Sequence, residues 1–482
     1  MKLSKMIPKE NKRNLWKESF DYDEYQLHVT ISTIGSTTES AEEIDNKIVY
    51  MEDLEKRKQV YGICGECNEP GTGYKWCQPC NAKRFKDNFK NWTSGNKDID
   101  EFIQQSQLNA VHFLKYLEWI PFENFEDITY ITRGGFGKIY SAEWPEGCIY
   151  SWDIENQEWK RNSNTKVALK SLDNSSCIST EFLNEIKTHL QIYLYNVVLC
   201  YGITQDPNTK DYMMVLEYCE YGNLRNYYLN NELDYYSKID KLQEIARGLL
   251  DIHNAGKVHK DFHSGNILYG VYPVISDLGM CQPANNEKQL VKQEGIYGVL
   301  PYMAPEVLRG YQYTKASDIY SFGIMMNEFI SEETPYNNIP HNHALSIKIC
   351  KGQRPNIFKC TPKLLTDLIT KCWDAKAENR PTAKELYQKL DECKFKNVDI
   401  RSQVNEYNDK IKLNRTSEKR TSNIQTHPQA IYTSRLLNFK NLPEPVNSDA
   451  TKTTSLRSEC FDCQLDELDL NESDQDEENN TE

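Results

Sequence analysis

Apolar residues recur along this chain with changing periods, and the changes divide it. Up to about residue 55 polar positions dominate without a sustained period, which predicts disorder over 1–55 with at most short helices. Ile99, Phe102, Ile103, Val111, Phe113, Leu114 and Leu117 predict one or two short helices within a helical linker, 85–120, with Asp98 as the N-cap. Strand-like runs follow: ITYITR (128–133), GKIYSAEW (137–144), KVALKSL (166–172) and DYMMVLEY (211–218). After Gly222 helical spacing takes over until about 395. A small β-rich part followed by a larger α-rich part reads as an α+β domain of two lobes over 121–395. The insertion between the second and third strands carries Trp152 and Trp159 on either side of Glu155-Asn156, the pattern of a hairpin with facing aromatics. Beyond 396 the chain turns polar and ends acidic, which predicts a disordered tail over 396–482.

Composition changes this picture in two places. The formal net charge is -14 over 482 residues, yet nine acidic residues and no Lys or Arg lie between Gln464 and Glu482. The rest is only mildly acidic, so a nucleic-acid footprint over the whole molecule is not expected. No apolar run reaches the length of about 18 residues that a membrane helix needs, and the basic start lacks an apolar leader. Of the 15 cysteines, four form two tight pairs near residue 70. In a chain without a secretory leader such pairs point to metal before disulfides, and to a reducing compartment, cytoplasmic or nuclear.

Candidate chemistry lies within 121–395. Gly134, Gly135 and Gly137 stand between two strand-like runs, where bare backbone N–H groups can close over phosphates. A plain glycine hairpin explains that stretch equally well. Lys170 ends an apolar strand and could hold phosphates; Glu185 follows in a helical pattern and could fix its ammonium. VHKDFHSGNIL (258–268) is more specific. Asp261 there can accept the proton of an attacking hydroxyl, and the Asn266 amide oxygen can ligate a hard cation. Asp277, just after another apolar strand, offers a second oxygen ligand. MAPE (303–306), SDIYSFG (317–323) and ENRP (378–381) complete the series.

This series resembles the eukaryotic protein kinase family over roughly 125–395. The resemblance implies a bilobal kinase fold binding ATP and Mg²⁺ (or Mn²⁺) and acting on protein substrates. It makes Asp261 the base, sets Lys170 on the phosphates with Glu185 as its ion partner, and gives Asn266 and Asp277 the metal. Arg380 would brace Glu306. Glu217, Tyr218 and Cys219 would form the hinge beside adenine, with Leu216 as gatekeeper, and Ile139, Ala168 and Leu268 would sandwich the ring. FLNEI, YGIT, EYGNL, SDIYSFG and CWDAKAENRP are similar to the tyrosine-kinase-like group, while LPYMAPE lacks the Trp-containing segment of true tyrosine kinases. Ser/Thr is therefore the expected acceptor, in intracellular signalling. The rival reading is a pseudokinase scaffold.

The chain departs from the family pattern at several positions, and Thr132, His189, His263 and Val299 among them feed that rival. Thr132 replaces the first loop glycine, Leu278 the usual Phe, and Lys260 the usual Arg beside Asp261. His189 stands at a usually apolar position. His263 and Val299 replace a Lys and a Thr that normally bond to each other; losing both strands no polar group. From Leu278 to Glu306 there is no Ser or Thr, which leaves Tyr297 and Tyr302 as the loop's only hydroxyl side chains.

Cys64, Cys67, Cys77 and Cys80 form two CxxC knuckles, a zinc-ribbon-like module over 60–84 able to give four thiolates to one structural Zn²⁺. A redox pair and unliganded thiols are the other readings. The module or the tail could engage an adaptor or regulatory protein. The basic run after it, Lys83 to Lys90, reads first as a solvated face.

Overall fold

The computed structural model describes residues 15–17, 26–27, 48–49, 51–133, 137–172, 180–192, 196–284, 295–394, 398–416 and 426–447. Gly134 and Gly135, and the acidic tail with Cys460 and Cys463, lie outside them.

Strand β1 (Leu15–Trp16) pairs antiparallel with β2 (Gly62–Ile63), which follows helix α1 (Leu54–Tyr61). The cysteine module leads into α2 (Gln78–Asn88), and α3 (Lys97–Asn109) packs beside it. The N-cap of α3 is Asn96, not Asp98. Its side-chain oxygen accepts from the Asp98 and Ile99 amides at 2.9 and 3.3 Å, leaving Asp98 in the first turn, where a negative charge meets the positive end of the helix dipole.

The span 85–120 does more than link. It ends in β3 (Glu118–Trp119), the edge of a six-stranded sheet. The sheet also holds β4 (Glu126–Arg133), β5 (Gly137–Trp144), β8 (Thr165–Leu172), β9 (Cys200–Gln205) and β10 (Tyr212–Glu217), in the order β3-β9-β10-β8-β5-β4. Only the β3–β9 pairing is parallel. A Cβ on Gly202 of β9 would stand 2.1 Å from the Glu118 carbonyl oxygen, so only glycine admits the edge strand.

Between β5 and β8 the insertion forms the hairpin β6 (Cys148–Asp153) and β7 (Glu158–Asn162), with Trp152 opposite Trp159 as the pattern predicts. What the sequence did not reveal is its partner. Trp76 of the cysteine module is fully buried; its ring stacks on Trp159 at 6.0 Å and on Tyr116 at 5.8 Å. Phe85 stacks on Trp159 at 5.0 Å, and Arg84 lies over Trp152 at 4.2 Å. The Tyr116 hydroxyl accepts from the Ile149 amide at 3.1 Å. Module, linker and insertion share one aromatic core against the small lobe.

Helix α4 (Thr180–Gln191) packs on the sheet through Phe182 and Ile186, both fully buried. The large lobe follows, helical as expected: α5 (Leu224–Asn230), α6 (Tyr235–Asn254), α7 (Pro305–Leu308), α8 (Lys315–Ser331), α9 (His343–Cys350), α10 (Lys363–Cys372) and α11 (Ala383–Glu392). Helices α6 and α8 form its centre; Thr314 and Ser317 close a capping box that starts α8. The hairpin β11 (Ile267–Tyr269) and β12 (Pro273–Ile275) faces the small lobe.

The tail departs from the expected disorder. Helix α12 (Val398–Thr416) lays Val404, Tyr407 and Ile411, spaced three and four apart, into the large-lobe core. The Tyr407 hydroxyl donates to the Ile330 carbonyl at 2.7 Å, and Arg415 pairs with Glu332. Residues 426–447 then run over the same lobe. Strand β14 (Arg435–Leu437) pairs antiparallel with β13 (Ile296–Gly298).

Candidate active site

The two lobes bring the sequence-predicted residues together. Register sets Lys170 on β8 opposite Met214 of β10 and Ile139 of β5, aiming its side chain under the sheet. Its ammonium donates to Glu185 Oε1 and Asp277 Oδ1, both at 2.8 Å. Burial disfavours the charge on Lys170, but the two carboxylates outweigh it and hold its pKa above the ordinary range. Glu185 comes from α4, so the pair is made only with that helix seated against the sheet. A Cβ on Gly279 would meet Glu185 Oε2 at 2.9 Å, so the residue after Leu278 must stay small.

Two contacts outside the familiar motifs hold α4. The buried Lys115 amine donates to the His189, Leu190 and Ile192 carbonyls and closes the helix C-terminus, while burial lowers its pKa to about 7. His189 is itself buried, one ring nitrogen 3.0 Å from the Val198 carbonyl; burial drives its pKa down to about 4. A neutral imidazole therefore fills the usually apolar position.

Asp261 lies in the turn after α6, almost fully buried. Asp318 builds that turn from below, accepting from the His259 amide at 2.8 Å, the Lys260 amide at 3.0 Å and the His253 ring at 3.0 Å. Asn266 donates its amide to the Asp261 carbonyl at 2.9 Å and to Asp261 Oδ2 at 3.2 Å, which turns its amide oxygen the other way. Burial raises the Asp261 pKa, but His263, the Ser434 hydroxyl and His259 together leave it below the ordinary carboxylate value.

The departures acquire structural meaning here. His263 Nδ1 accepts from the Gly265 amide at 3.0 Å, so in the neutral ring the proton sits on Nε2, 3.7 Å from Asp261 Oδ1. A histidine N–H thus faces Asp261. Val299 is buried and apolar, stranding nothing. Lys260 lies over the Tyr313 ring at 5.0 Å. Leu278 is fully buried. Arg380 clasps Glu306 in a bidentate pair at 2.7 and 2.8 Å.

Of the nucleotide-site set, Ala168 pairs with Leu216, and Ala168, Leu268 and Cys219 adjoin one apolar cluster. Ile139 pairs with both Lys170 and Thr132. Glu217 donates its backbone N–H to the Leu199 carbonyl at 2.9 Å. Gly137 opens β5, while Gly134 and Gly135 fall outside the described residues.

The second constellation is the cysteine set. The sulfurs of Cys64, Cys67, Cys77 and Cys80 lie within 4.8 Å of one another. Cys64 and Cys80 are 3.9 Å apart, Cys67 and Cys77 3.6 Å. A tetrahedral site with bonds of about 2.3 Å separates its sulfurs by about 3.8 Å, so a zinc-sized ion fits. Arg57 braces the knuckles, donating to the Gly71, Met51 and Pro70 carbonyls at 2.9, 2.8 and 2.7 Å.

Comparison with known proteins bears on the same region. The family profile described as "Protein tyrosine and serine/threonine kinase" matches residues 126–390. A tyrosine-protein kinase of Girardia tigrina is 26% identical over 281 residues, 56% of this chain and 53% of its own length. The serine/threonine-protein kinase VIK of Arabidopsis thaliana is 28% identical over 287 residues, 56% and 60% of the two chains. A probable serine/threonine-protein kinase of Dictyostelium discoideum is 31% identical over 243 residues, 45% of this chain and 15% of its own. The match spans less than two thirds of each of these relatives.

Proposed function

The chain belongs to the protein tyrosine and serine/threonine kinase family, and from that premise we propose that it is an active enzyme. It transfers the γ-phosphate of ATP to serine and threonine hydroxyls of proteins, in intracellular signalling. The observation that carries this reading is the joint seating of Lys170 on Glu185 and Asp277 with Asp261 turned into the cleft. Lys170 holds phosphate oxygens, and Asp261 takes the proton of the attacking hydroxyl. A Mg²⁺ or Mn²⁺ ion held by Asn266 and Asp277 neutralises charge on the phosphates when bound.

Depth supports the acceptor class we propose. The serine hydroxyl of residue 434 reaches Asp261 Oδ2 at 2.5 Å, with the next three residues paired to β13. A tyrosine hydroxyl stands a whole ring farther from its backbone, so this spacing favours a serine or threonine acceptor. The His263 N–H beside Asp261 supports activity over a scaffold role, since it stands at the base in the position where the family carries a Lys. Zn²⁺ on Cys64, Cys67, Cys77 and Cys80 is structural: four thiolates leave no open position. Thiolate ligands of this kind suit a reducing compartment, and we assign the protein to the cytoplasm.

Labelled ATP with a generic basic protein, wild type beside Asp277→Ala, tests the reading. Transfer by the wild type alone, with phosphoserine or phosphothreonine in the product, supports it. Phosphotyrosine overturns the acceptor class, and no transfer by a folded, nucleotide-binding chain overturns the activity.

A further inference from the structure

Segment 426–447 lies across the acceptor side of the cleft, and it is fastened on both sides of Ser434. Upstream, the Ile431 amide donates to His341 Nδ1 at 3.0 Å. The Tyr432 ring covers the Arg225 guanidinium at 4.6 Å, and its hydroxyl donates to the Pro335 carbonyl at 2.9 Å. Downstream, Arg435 stands opposite Gly298 and Leu437 opposite Ile296 in the β13–β14 ladder, and Leu437 is buried in the large-lobe core. The Val446 amide donates to the Cys350 carbonyl at 2.9 Å. Between these anchors the Tyr297 hydroxyl donates to the Ser434 carbonyl at 3.1 Å, and the Ser434 hydroxyl donates to Asp261 Oδ2 at 2.5 Å. An extended strand paired to the loop that follows the metal aspartate, with one hydroxyl on the base, has the posture of a bound acceptor peptide. The loop from Leu278 to Glu306 has no Ser or Thr of its own; the tail brings the hydroxyl to it.

We propose that Ser434 is an internal acceptor, phosphorylated by its own chain in cis, and that segment 426–447 excludes other protein acceptors until that transfer occurs. This rests on the reading of the chain as an active kinase. Ser434 Oγ attacks the γ-phosphorus of bound ATP, forming the new P–O bond. The bond from that phosphorus to the β–γ bridging oxygen breaks, and ADP leaves with the electron pair. The hydroxyl proton passes to Asp261 Oδ2. The product carries about -1.5 to -2 charges at neutral pH against the buried Asp261 carboxylate that the Ser434 hydroxyl now touches, and like-charge repulsion frees the segment.

The test uses the 482-residue chain, stripped of phosphate by a phosphatase, with ATP, Mg²⁺ and a basic protein as external acceptor. Phosphopeptide mapping should find phosphate on Ser434, appearing at a first-order rate unchanged over about a hundredfold dilution, because the acceptor is tethered. External transfer should show a lag that ends as Ser434 fills. Ser434→Ala should keep the high KM of the unmodified chain. The undocked variant Tyr432→Ala/Leu437→Ala should lower KM for the external acceptor by about tenfold or more at unchanged kcat, since the tethered competitor is gone. Transfer to the basic protein by the unmodified wild-type chain without a lag and at the KM of the undocked variant overturns the inference and leaves the kinase reading standing. A Ser434 rate that rises with chain concentration overturns the cis step. No transfer to either acceptor, in wild type and undocked variant alike, removes the kinase reading and the inference with it.

Discussion

Two attachments flank the kinase body, and they hold to it by different means. The N-terminal layer, 51–120, is joined to the small lobe by fully or nearly fully buried aromatic side chains: Trp76, Phe85 and Tyr116 pack with Trp159 of the inserted hairpin. Segment 426–447 is joined to the large lobe mainly by backbone hydrogen bonds and half-exposed side chains, with Leu437 its one buried residue. Buried apolar area gives persistence; exposed backbone pairing opens at low free-energy cost. The first attachment is thus suited to hold α4 and the sheet in place, through Lys115 and β3. The second is suited to leave.

The strongest way to break that contrast is to remove the cysteine cluster. If the four thiolates hold the structural zinc proposed above, Cys64→Ser/Cys67→Ser should unfold the N-terminal layer, since such a site contributes on the order of 10 kcal/mol in small modules. Limited proteolysis should then cut within 51–120 while the 426–447 pattern is unchanged. Trp76→Ala comes next, with an expected loss of about 3–5 kcal/mol in denaturant unfolding of the small lobe, because it empties the shared aromatic core. Trp159→Ala should fall in the same range, and a loss near zero would mean the hairpin is not a platform.

Acid sharpens the comparison further. Burial holds His112 down to about 3 and His189 to about 4, against an ordinary 6.5 when unfolded. Between those values the unfolded chain takes up protons that the folded one refuses. The stability these residues give is complete above pH 6.5 and is lost as pH falls from 6.5 toward 4. Urea midpoints for the small lobe should decline over that window, and His189→Leu should flatten the slope. The smallest effect is expected at Arg309–Glu444, which fastens the C-terminal segment with Glu444 largely exposed. Arg309→Ala should cost no more than about 1 kcal/mol of docking and should lose its effect at high salt, both measurable by amide exchange over 426–447.

Most of the catalytic cleft was legible in the sequence because its residues sit in short motifs whose spacing is set by local turns. Lys170 pairs with Glu185 and Asp277, and Asn266 bonds to Asp261. The tandem cysteines were legible for the same reason. The stacking of Trp76 on Trp159 was not: it joins positions 83 residues apart through bulky side chains that carry no periodic signal. Helix α12 was misread from its polar composition, although Val404, Tyr407 and Ile411 carried a short apolar stripe. In the 426–447 segment the apolar spacing pointed to the wrong element. Its Tyr432, Leu436 and Phe439 are spaced as in a helix, yet the chain there is not helical, because an extended segment docking on a finished surface takes its conformation from that surface. The capping role of Lys115 escaped for a similar reason, since its three carbonyl partners exist only once α4 has ended.

A covalent tether between Ser434 and its own cleft has a consequence for selectivity. An acceptor carried on the same chain is present at a fixed local concentration, on the order of millimolar for a well-matched tether, whatever the abundance of the protein. A visiting protein must outbid that standing occupant before it reaches Asp261. Weak and accidental acceptors fall below the threshold, and the length and docking strength of the tail, more than the shape of the cleft, set where that threshold lies.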